Sequence, residues 1–207
     1  MAVVAPKAAG FPVVTLLVAA GGLALMLLPD IAHMLVYDRE RVLAGEVWRL
    51  ATGHAVHFSW SHAAWNLTVF SVVGVWLERR DGARYLWLIA VMALASGLWF
   101  LTVLPDMARY GGLSGLISAM VVYLALTELR QPGPTRAIWA TILLLFVAKL
   151  VYELLSGQAI FVAPDAIPFQ VAPAAHIVGA VVAIFQIGVL EGRIRHRLVT
   201  RLDLPDA

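Results

Sequence analysis

The 207-residue sequence contains no cysteine, and only 14% of its residues are charged. The lack of cysteine excludes disulfide bonds, thiol nucleophiles and thiolate metal sites. Soluble domains carry about 25% charged residues, so this chain has too few charges to cover a surface in water. Its formal net charge of only +2 gives no reason to expect nucleic acid as a partner.

Apolar residues, at 61% of the chain, take the place of the missing charges. A helix needs about 20 mostly apolar residues to cross the hydrocarbon core of a bilayer. Six segments of 16 to 20 residues are candidates: 11–28, 61–77, 85–104, 111–126, 137–155 and 171–190. The mixed segment 29–60 is interpreted as a structured loop outside the membrane. The sequence therefore predicts a single all-α domain, 1–207, that is a bundle of six transmembrane helices with a long first loop.

The first segment has a second interpretation, because Lys7 followed by an apolar run also resembles a cleavable signal peptide. The run is long for such a peptide and no clear cleavage site follows it, which favours a span. With six spans, ten basic residues fall on the side of both termini and four on the other side. The positive-inside rule then places both termini in the cytoplasm and the first loop outside.

Four polar side chains lie within three of these segments, although a polar group in lipid is costly and is a functional hypothesis by default. They are His62 and Asn66 in the second segment, Ser114 in the fourth and His176 in the sixth. These three segments run from outside to inside, and each residue is in the first turns. The rise of a helix then places all four within roughly 10 Å of the outer boundary.

The chemistry of these groups suggests a nucleophile and its base. Gly112 and Gly115 beside Ser114, and Gly179 one turn after His176, allow two helix backbones to approach closely. A histidine beside a serine can remove its proton and later protonate a leaving amine.

His62 and Asn66 share a helix face. Together with the backbone N–H of Ser114, they could stabilise an oxyanion.

Each residue alone is more often structural, as a hydroxyl bonded to the preceding turn or as a polar contact between helices. The coincidence of all four at one depth favours a site. Since the second, fourth and sixth segments carry no carboxylate at that depth, a Ser-His dyad is favoured over a triad.

His54, His57 and His62 could suggest a metal site, but no carboxylate pair accompanies them, so no metal and no cofactor are expected. Lys149 and Glu153 are interpreted as a self-paired couple, with a role in a gate as the alternative.

In four motifs the chain resembles the rhomboid intramembrane serine proteases, over about residues 46–185 and in the order of that family. The motifs are Trp48-Arg49, His57-Phe58-Ser59 followed by His62-x-x-x-Asn66, Gly112-x-Ser114-Gly115, and Ala175-His176-x-x-Gly179. The resemblance implies Ser114 as nucleophile, His176 as base, and an oxyanion hole of His62, Asn66 and backbone amides. It also implies that the fifth helix and the loop before the sixth control substrate access from the side.

Residues 46–57 look most like the rhombosortase subgroup, whose members are thought to process proteins with a C-terminal Gly-Gly-type sorting tag. Two positions depart from the family pattern. Many rhomboids have an aromatic residue one turn after the nucleophile, stacked on the histidine, where this chain has Ser118. A second glycine of the last span is replaced by Ala183, which is still small.

Three functions fit these residues to different degrees. The first is a protease for membrane-anchored proteins in a bacterial inner membrane, with its site open to the periplasmic side. The second is a catalytically silent rhomboid-like protein that binds membrane clients, but such a protein would have lost the serine or the histidine. The third is a small transporter, which would need polar residues down to the inner leaflet. The protease is favoured, and the oligomeric state cannot be read from the sequence.

Overall fold

The computed structural model describes residues 10–158, 160 and 173–202, and from residue 190 onwards its backbone alone. Within these residues the chain is mainly helical, which confirms the predicted helical class. The helices are α1 (Val13–Leu27), α2 (Pro29–Leu35), α3 (Arg39–Leu43), α4 (Arg49–Thr52), α5 (Trp60–Thr102), α6 (Ser114–Leu129), α7 (Arg136–Ser156) and α8 (Pro173–Leu202). A 3₁₀ turn at Gly53–Ala55 and two short strands, β1 (Tyr37–Asp38) and β2 (Arg109–Tyr110), complete the secondary structure of these residues.

The longest helix, α5, contains the second predicted segment and residues 85–102 of the third. Its 43 residues would extend about 64 Å, roughly twice the thickness of a hydrocarbon core. Asp81, with φ of −158° and ψ of 84°, is not helical and kinks the helix. The two parts of α5 are therefore separate rods joined at Asp81.

Three helices have ends that differ from the bounds of the predicted spans. Helix α6 begins at Ser114 rather than at residue 111, because Gly112 has a φ of 121° that no helix contains. Helix α1 ends at Leu27, since Leu28 precedes a proline and leaves the helical region. Helix α8 continues to Leu202 rather than ending at residue 190, because the Arg and Leu residues that follow are good helix formers even where they are not apolar. Residues 171 and 172 of the sixth predicted segment lie outside the described residues.

The segment between α1 and α5 is folded into short elements. Strand β1 pairs antiparallel with β2, so that Tyr37 lies opposite Tyr110 and Asp38 opposite Arg109. Tyr37, Tyr110 and Phe100 are buried together, with Tyr37 and Phe100 in an edge-to-face contact at 5.7 Å between ring centroids. The two-stranded ladder thus attaches the first long loop to the residues that lead into α6.

The main core lies between α5, α6 and α8, with α6 at its centre. Most side chains of α6 are buried, among them Leu116, Met120 and Leu124. Helix α7 is peripheral: among its residues only Trp139 and Glu153 are buried. Helix α6 is therefore held from several sides, whereas α7 presents most of its surface to the surroundings.

Apolar side chains cover the outer surface of the bundle. On α7, for example, Leu144, Leu145, Leu154 and Leu155 are all exposed. Such a surface is unfavourable in water and expected in lipid. By length and composition α5 and α7 are long enough to cross a membrane, and a third span is added if α1 and α2, bent by 120° at their junction, are taken together. Helix α6 and residues Pro173–Val189 are apolar but shorter, so the number of six spans remains a prediction.

Candidate active site

One cavity of about 1120 Å³ contains the polar side chains that the sequence analysis selected. It lies between the start of α5, the start of α6, the end of α7 and the start of α8, under the segment between α1 and α5. Its polar lining includes His57, His62, Asn66, Ser114, Ser118, Lys149, Glu153 and His176. Four elements that are distant in sequence therefore present polar groups to one space within an apolar bundle.

Ser114 is the first residue of α6. The first N–H groups of a helix have no intrahelical acceptor and carry a partial positive charge. Gly112 forms the turn before the helix, and its backbone oxygen accepts a hydrogen bond of 3.0 Å from the Tyr110 hydroxyl. Burial raises the pKa of Tyr110 to about 12, against the opposing effect of its hydrogen bond with Ser114. Tyr110, which the sequence analysis did not select, is therefore a neutral phenol beside the serine.

Helices α6 and α8 touch backbone to backbone where the serine and the histidine lie. A methyl group on Gly179 would be 2.5 Å from the oxygen of Gly115 and 2.9 Å from the nitrogen of Ala119. A methyl group on Gly115 would be 3.2 Å from the oxygen of Ala175. Ala183, at the position of the missing second glycine, is fully buried. Small residues on both helices thus bring Ser114 and His176 to the same cavity.

His62 and Asn66 are buried side chains on the first turns of α5. Ser59 caps this helix, because its hydroxyl accepts a hydrogen bond from the His62 N–H. The Asn66 amide donates one hydrogen bond of 3.0 Å to the backbone oxygen of His62, so one of its two N–H groups remains for another acceptor. The ring of His62 lies against Gly112, where a methyl group would be 2.7 Å from its Cε1 atom. Both donors are therefore next to the turn that leads to Ser114.

His176 has a carboxylate partner that the sequence analysis did not identify. Its Nδ1 atom lies 2.9 Å from the Oε2 atom of Glu153 on α7. The other oxygen of Glu153 accepts a hydrogen bond of 2.7 Å from Lys149. The absence of a carboxylate was inferred from the second, fourth and sixth predicted spans, whereas this one comes from the fifth. Because the fifth span is predicted to run outwards, the position of Glu153 near its end was the available signal.

Ser118, in place of the aromatic residue typical of the family that the sequence resembles, does not support the histidine. Its hydroxyl donates a hydrogen bond of 2.8 Å to the backbone oxygen of Ser114. This is the bond to the preceding turn expected of a serine within a helix.

Arg49 and Trp48 of the first long loop have different environments. Arg49 is buried, with its guanidinium bonded to the backbone oxygens of His33 and Val36 and to the carboxylate of Glu46. Trp48 is half exposed, as suits the interface of a membrane. Arg49 therefore holds α2 and α4 together, and the two residues whose backbone oxygens it binds, His33 and Val36, line the cavity.

The other two histidines of the predicted cluster have separate partners. His54 approaches the Ser96 hydroxyl at 2.9 Å, and His57 approaches the backbone oxygen of Ala55 at 3.1 Å. The rings of His57 and His62 are in edge contact, with centroids 5.1 Å apart. The fifth helix and the loop before the sixth are predicted to control substrate access. Helix α7 lines the cavity, whereas residues 159 and 161–172 of the loop lie outside the described residues.

The fold and the cavity define an integral membrane protein, a helical bundle with a buried polar site. Comparison with known proteins makes the class specific. Residues 44–192 match the Rhomboid domain family, which is more than half of the chain. The chain belongs to the rhomboid family.

Relatives in the same family have protease names. The chain is 28% identical to Rhomboid protease GlpG of Photorhabdus laumondii over 143 residues, which is 67% of this chain and 46% of that protein. It is 30% identical over 87 residues to Rhomboid protease GlpG of Yersinia pestis and of Yersinia pseudotuberculosis, covering 42% of this chain and 31% of those proteins. The chain thus matches less than half the length of these relatives.

Proposed function

We propose that this protein is an intramembrane serine endopeptidase, with Ser114 as nucleophile and His176 as general base. The observation that carries the proposal is the convergence of Ser114, His176, His62 and Asn66 on one cavity. Membership of a family whose related members are named proteases supports the same activity.

The chemistry proceeds by acyl transfer. The Nε2 atom of His176 takes the proton of the Ser114 hydroxyl as its oxygen attacks the carbonyl carbon of the substrate. The same proton is then given to the leaving amine, and an acyl-enzyme ester remains. Water, deprotonated by His176, attacks the ester, and His176 returns that proton to the Ser114 oxygen as the bond to the new carboxyl group breaks.

An oxyanion forms at each tetrahedral stage. Its donors are the backbone N–H of Ser114 at the start of α6, the free amide hydrogen of Asn66 and the ring of His62. The N-terminal end of α6 adds its partial positive charge. Donors that the fold already holds in place need no reorganisation when the charge develops, so they act more strongly than the same groups in solution.

The proposed setting is a bacterial inner membrane crossed by six spans of one domain, 1–207. Both termini are cytoplasmic, and the cavity opens towards the periplasm. Substrates are membrane-anchored proteins cleaved at or near their transmembrane segment, and they reach the site from the bilayer. The exposed apolar face of α7 beside the cavity supports such a lateral route.

Residues 46–57 support a further assignment to the rhombosortase subgroup, and hence to substrates with a C-terminal Gly-Gly-type tag. The test is a reporter protein that carries such a tag ahead of a membrane anchor, expressed with the wild type or with Ser114→Ala. Release that requires both the tag and Ser114 supports the assignment. Equal release of a reporter whose Gly-Gly pair is changed to Ala-Ala contradicts it.

The activity itself is tested with a fluorescent active-site serine probe on the purified protein in liposomes. Wild type should be labelled, and Ser114→Ala and His176→Ala should not. Ser71→Ala, a change on α5 away from the cavity, is the matched control and should be labelled like wild type. If folded wild type is not labelled, or Ser114→Ala is labelled equally, the nucleophile assignment fails. The alternative, a catalytically silent protein that binds membrane clients, then takes its place.

A further inference from the structure

Glu153 is an unusual residue for its position on α7. Most of that helix faces outwards, yet Glu153 is turned inwards and is only 2% exposed. A buried carboxylate is retained only where it is paired. Its Oε1 atom accepts a hydrogen bond of 2.7 Å from the Lys149 Nζ atom, and its Oε2 atom lies 2.9 Å from the His176 Nδ1 atom, at ion-pair distance but without an aligned hydrogen bond.

We propose that Glu153 is a positioning residue for His176, so that the site functions as a Ser114–His176–Glu153 triad. This inference rests on the proposed protease function. A carboxylate at Nδ1 is an acceptor only, and it therefore stabilises the tautomer that carries its proton on Nδ1. Nε2 is then left with its lone pair, which is the atom and the state that accept the proton of Ser114.

Lys149 competes for the same ring nitrogen. Its Nζ atom lies 3.4 Å from Nδ1 of His176, and a lysine that donated there would favour the opposite tautomer, with Nε2 already protonated. Nδ1 is nevertheless closer to the carboxylate, at 2.9 Å, and Lys149 has its own close acceptor in Oε1, so the proposal requires the ring to turn until its Nδ1–H points at Oε2. Glu153 thus orients the ring and also keeps Lys149 from doing so.

The other polar groups around His176 do not offer this support. His62 faces it from α5, and Ser114 and Ser118 belong to α6. The hydroxyl of Ser118 is directed to the backbone of Ser114. With no aromatic ring at position 118, the pair on α7 is what holds the histidine among the residues that the structure describes.

The pairing predicts an unusual response to two substitutions. In Glu153→Gln the side chain has one oxygen and one NH₂ group. Lys149 is a donor only and takes the oxygen, so the NH₂ group faces Nδ1 and favours the unproductive tautomer. Adding Lys149→Met frees the amide to turn its oxygen towards Nδ1. The double variant should therefore recover activity that the single variant loses.

The first measurement reads the tautomer without any need for activity. ¹⁵N NMR of histidine-labelled protein in liposomes, in the Ser114→Ala background, distinguishes a proton on Nδ1 from one on Nε2, and the His176 signal is identified by its loss in His176→Gln. We expect Nδ1–H in the parent and in Glu153→Asp. We expect Nε2–H in Glu153→Gln and a return to Nδ1–H in the double variant.

The second measurement is the rate of labelling by the serine probe in the otherwise wild-type protein. Glu153→Gln should lower the rate by about 10²–10⁴-fold, the range for loss of the base in its correct state. The labelling rate of the double variant should be at least about tenfold higher than that of Glu153→Gln. Glu78→Gln is the matched control: it changes another carboxylate that is bonded within the bundle, to Thr15, roughly 24 Å along α5 from His62. This control should leave both the rate and the tautomer unchanged.

Failure of the inference about Glu153 and failure of the proposed protease function give different results. If the tautomer does not change in Glu153→Gln, or the double variant is no faster than the single one, Glu153 is structural only and the inference is wrong. If wild type is not labelled although the tautomers behave as expected, the proposed protease function is wrong and the pairing stands. Should Glu153→Gln not fold, Glu153→Asp and Lys149→Met, each on its own, must retain Nδ1–H.

Discussion

Gly179 of α8 lies so close to Gly115 of α6 that a methyl group on Gly179 would be 2.5 Å from the Gly115 carbonyl oxygen. The neighbouring atom is backbone, which cannot turn aside as a side chain can. The distance between the serine and histidine helices is thus set by two residues without side chains.

Gly179→Ala should force α6 and α8 apart. We expect a loss of roughly 1–3 kcal/mol in stability, as for other overpacked contacts, and a greatly reduced rate of labelling at Ser114. Thermal unfolding in detergent and probe labelling measure the two effects. Gly188→Ala on the same helix is the control, because a methyl group there meets nothing within 4 Å. Equal behaviour of the two variants would contradict the close-packing argument.

At the turn before Ser114, the effect of backbone strain can be distinguished from the effect of a steric clash. Gly112 and Gly45 have φ values of 121° and 105°, and an alanine at either position is strained by about 1–3 kcal/mol. Only at Gly112 would the methyl group also meet the ring of His62, at 2.7 Å. Both alanine variants should unfold at lower temperature, but only Gly112→Ala should lose probe labelling among the molecules that remain folded. Loss of labelling in Gly45→Ala would show that strain alone is sufficient.

The proposed oxyanion donors can be removed one at a time. Asn66→Ala or His62→Ala should lower the rate of substrate cleavage by roughly 10²–10³-fold, the usual effect of losing one such donor, while Ser114 and His176 remain in place. Cleavage of a membrane-anchored reporter gives the rates. Thr68→Ala removes an exposed polar group two residues after Asn66 and should have no effect. A rate in Asn66→Ala within about twofold of wild type would exclude it as a donor.

Arg49 should be replaceable by neither lysine nor methionine. Its guanidinium serves two backbone oxygens and a carboxylate at once, and a lysine ammonium lacks the planar geometry to do so. Arg49→Lys should destabilise the protein by about 1–3 kcal/mol, since buried acceptors are left without donors. Limited proteolysis should show cleavage first between α2 and α4. Arg41→Lys changes an arginine that is 62% exposed in its side chain and should be neutral.

Two buried histidines before α5 make stability dependent on pH. Burial, together with the nearby charge of His62, lowers the pKa of His57 to about 3. Burial lowers the pKa of His54 to about 4. The folded state thus binds fewer protons than the unfolded state below pH 6.5. The contribution of the two neutral histidines to the free energy of unfolding is complete above pH 6.5. It is lost as pH falls towards 4, at about 1.4 kcal/mol per pH unit for each histidine. Unfolding temperatures at pH 7 and pH 5 should differ less in His57→Gln than in wild type. The exposed His33→Gln should retain the full difference.

The sequence predicted the helical class and the four polar residues of the cavity because both depend on spacing along a helix. Apolar runs of membrane length identify helices, and a constant rise per residue relates position to depth. The kink at Asp81 falls in the gap between the second and third predicted segments. The rule is less exact at helix ends, where single residues decide the backbone, as Gly112 does before α6. It also missed Tyr110, which lies between predicted spans.

The identity of the chemical groups and their predicted depth therefore follow from spacing along the chain. Which of these groups meet depends on tertiary packing. Lys149 and Glu153 are one turn apart on α7, and their pairing follows from the sequence alone. The contact of Glu153 with His176, 23 residues later on another helix, depends on how α7 is rotated about its axis. That rotation is set by packing between helices far apart in the chain, for which a local repeat contains no information.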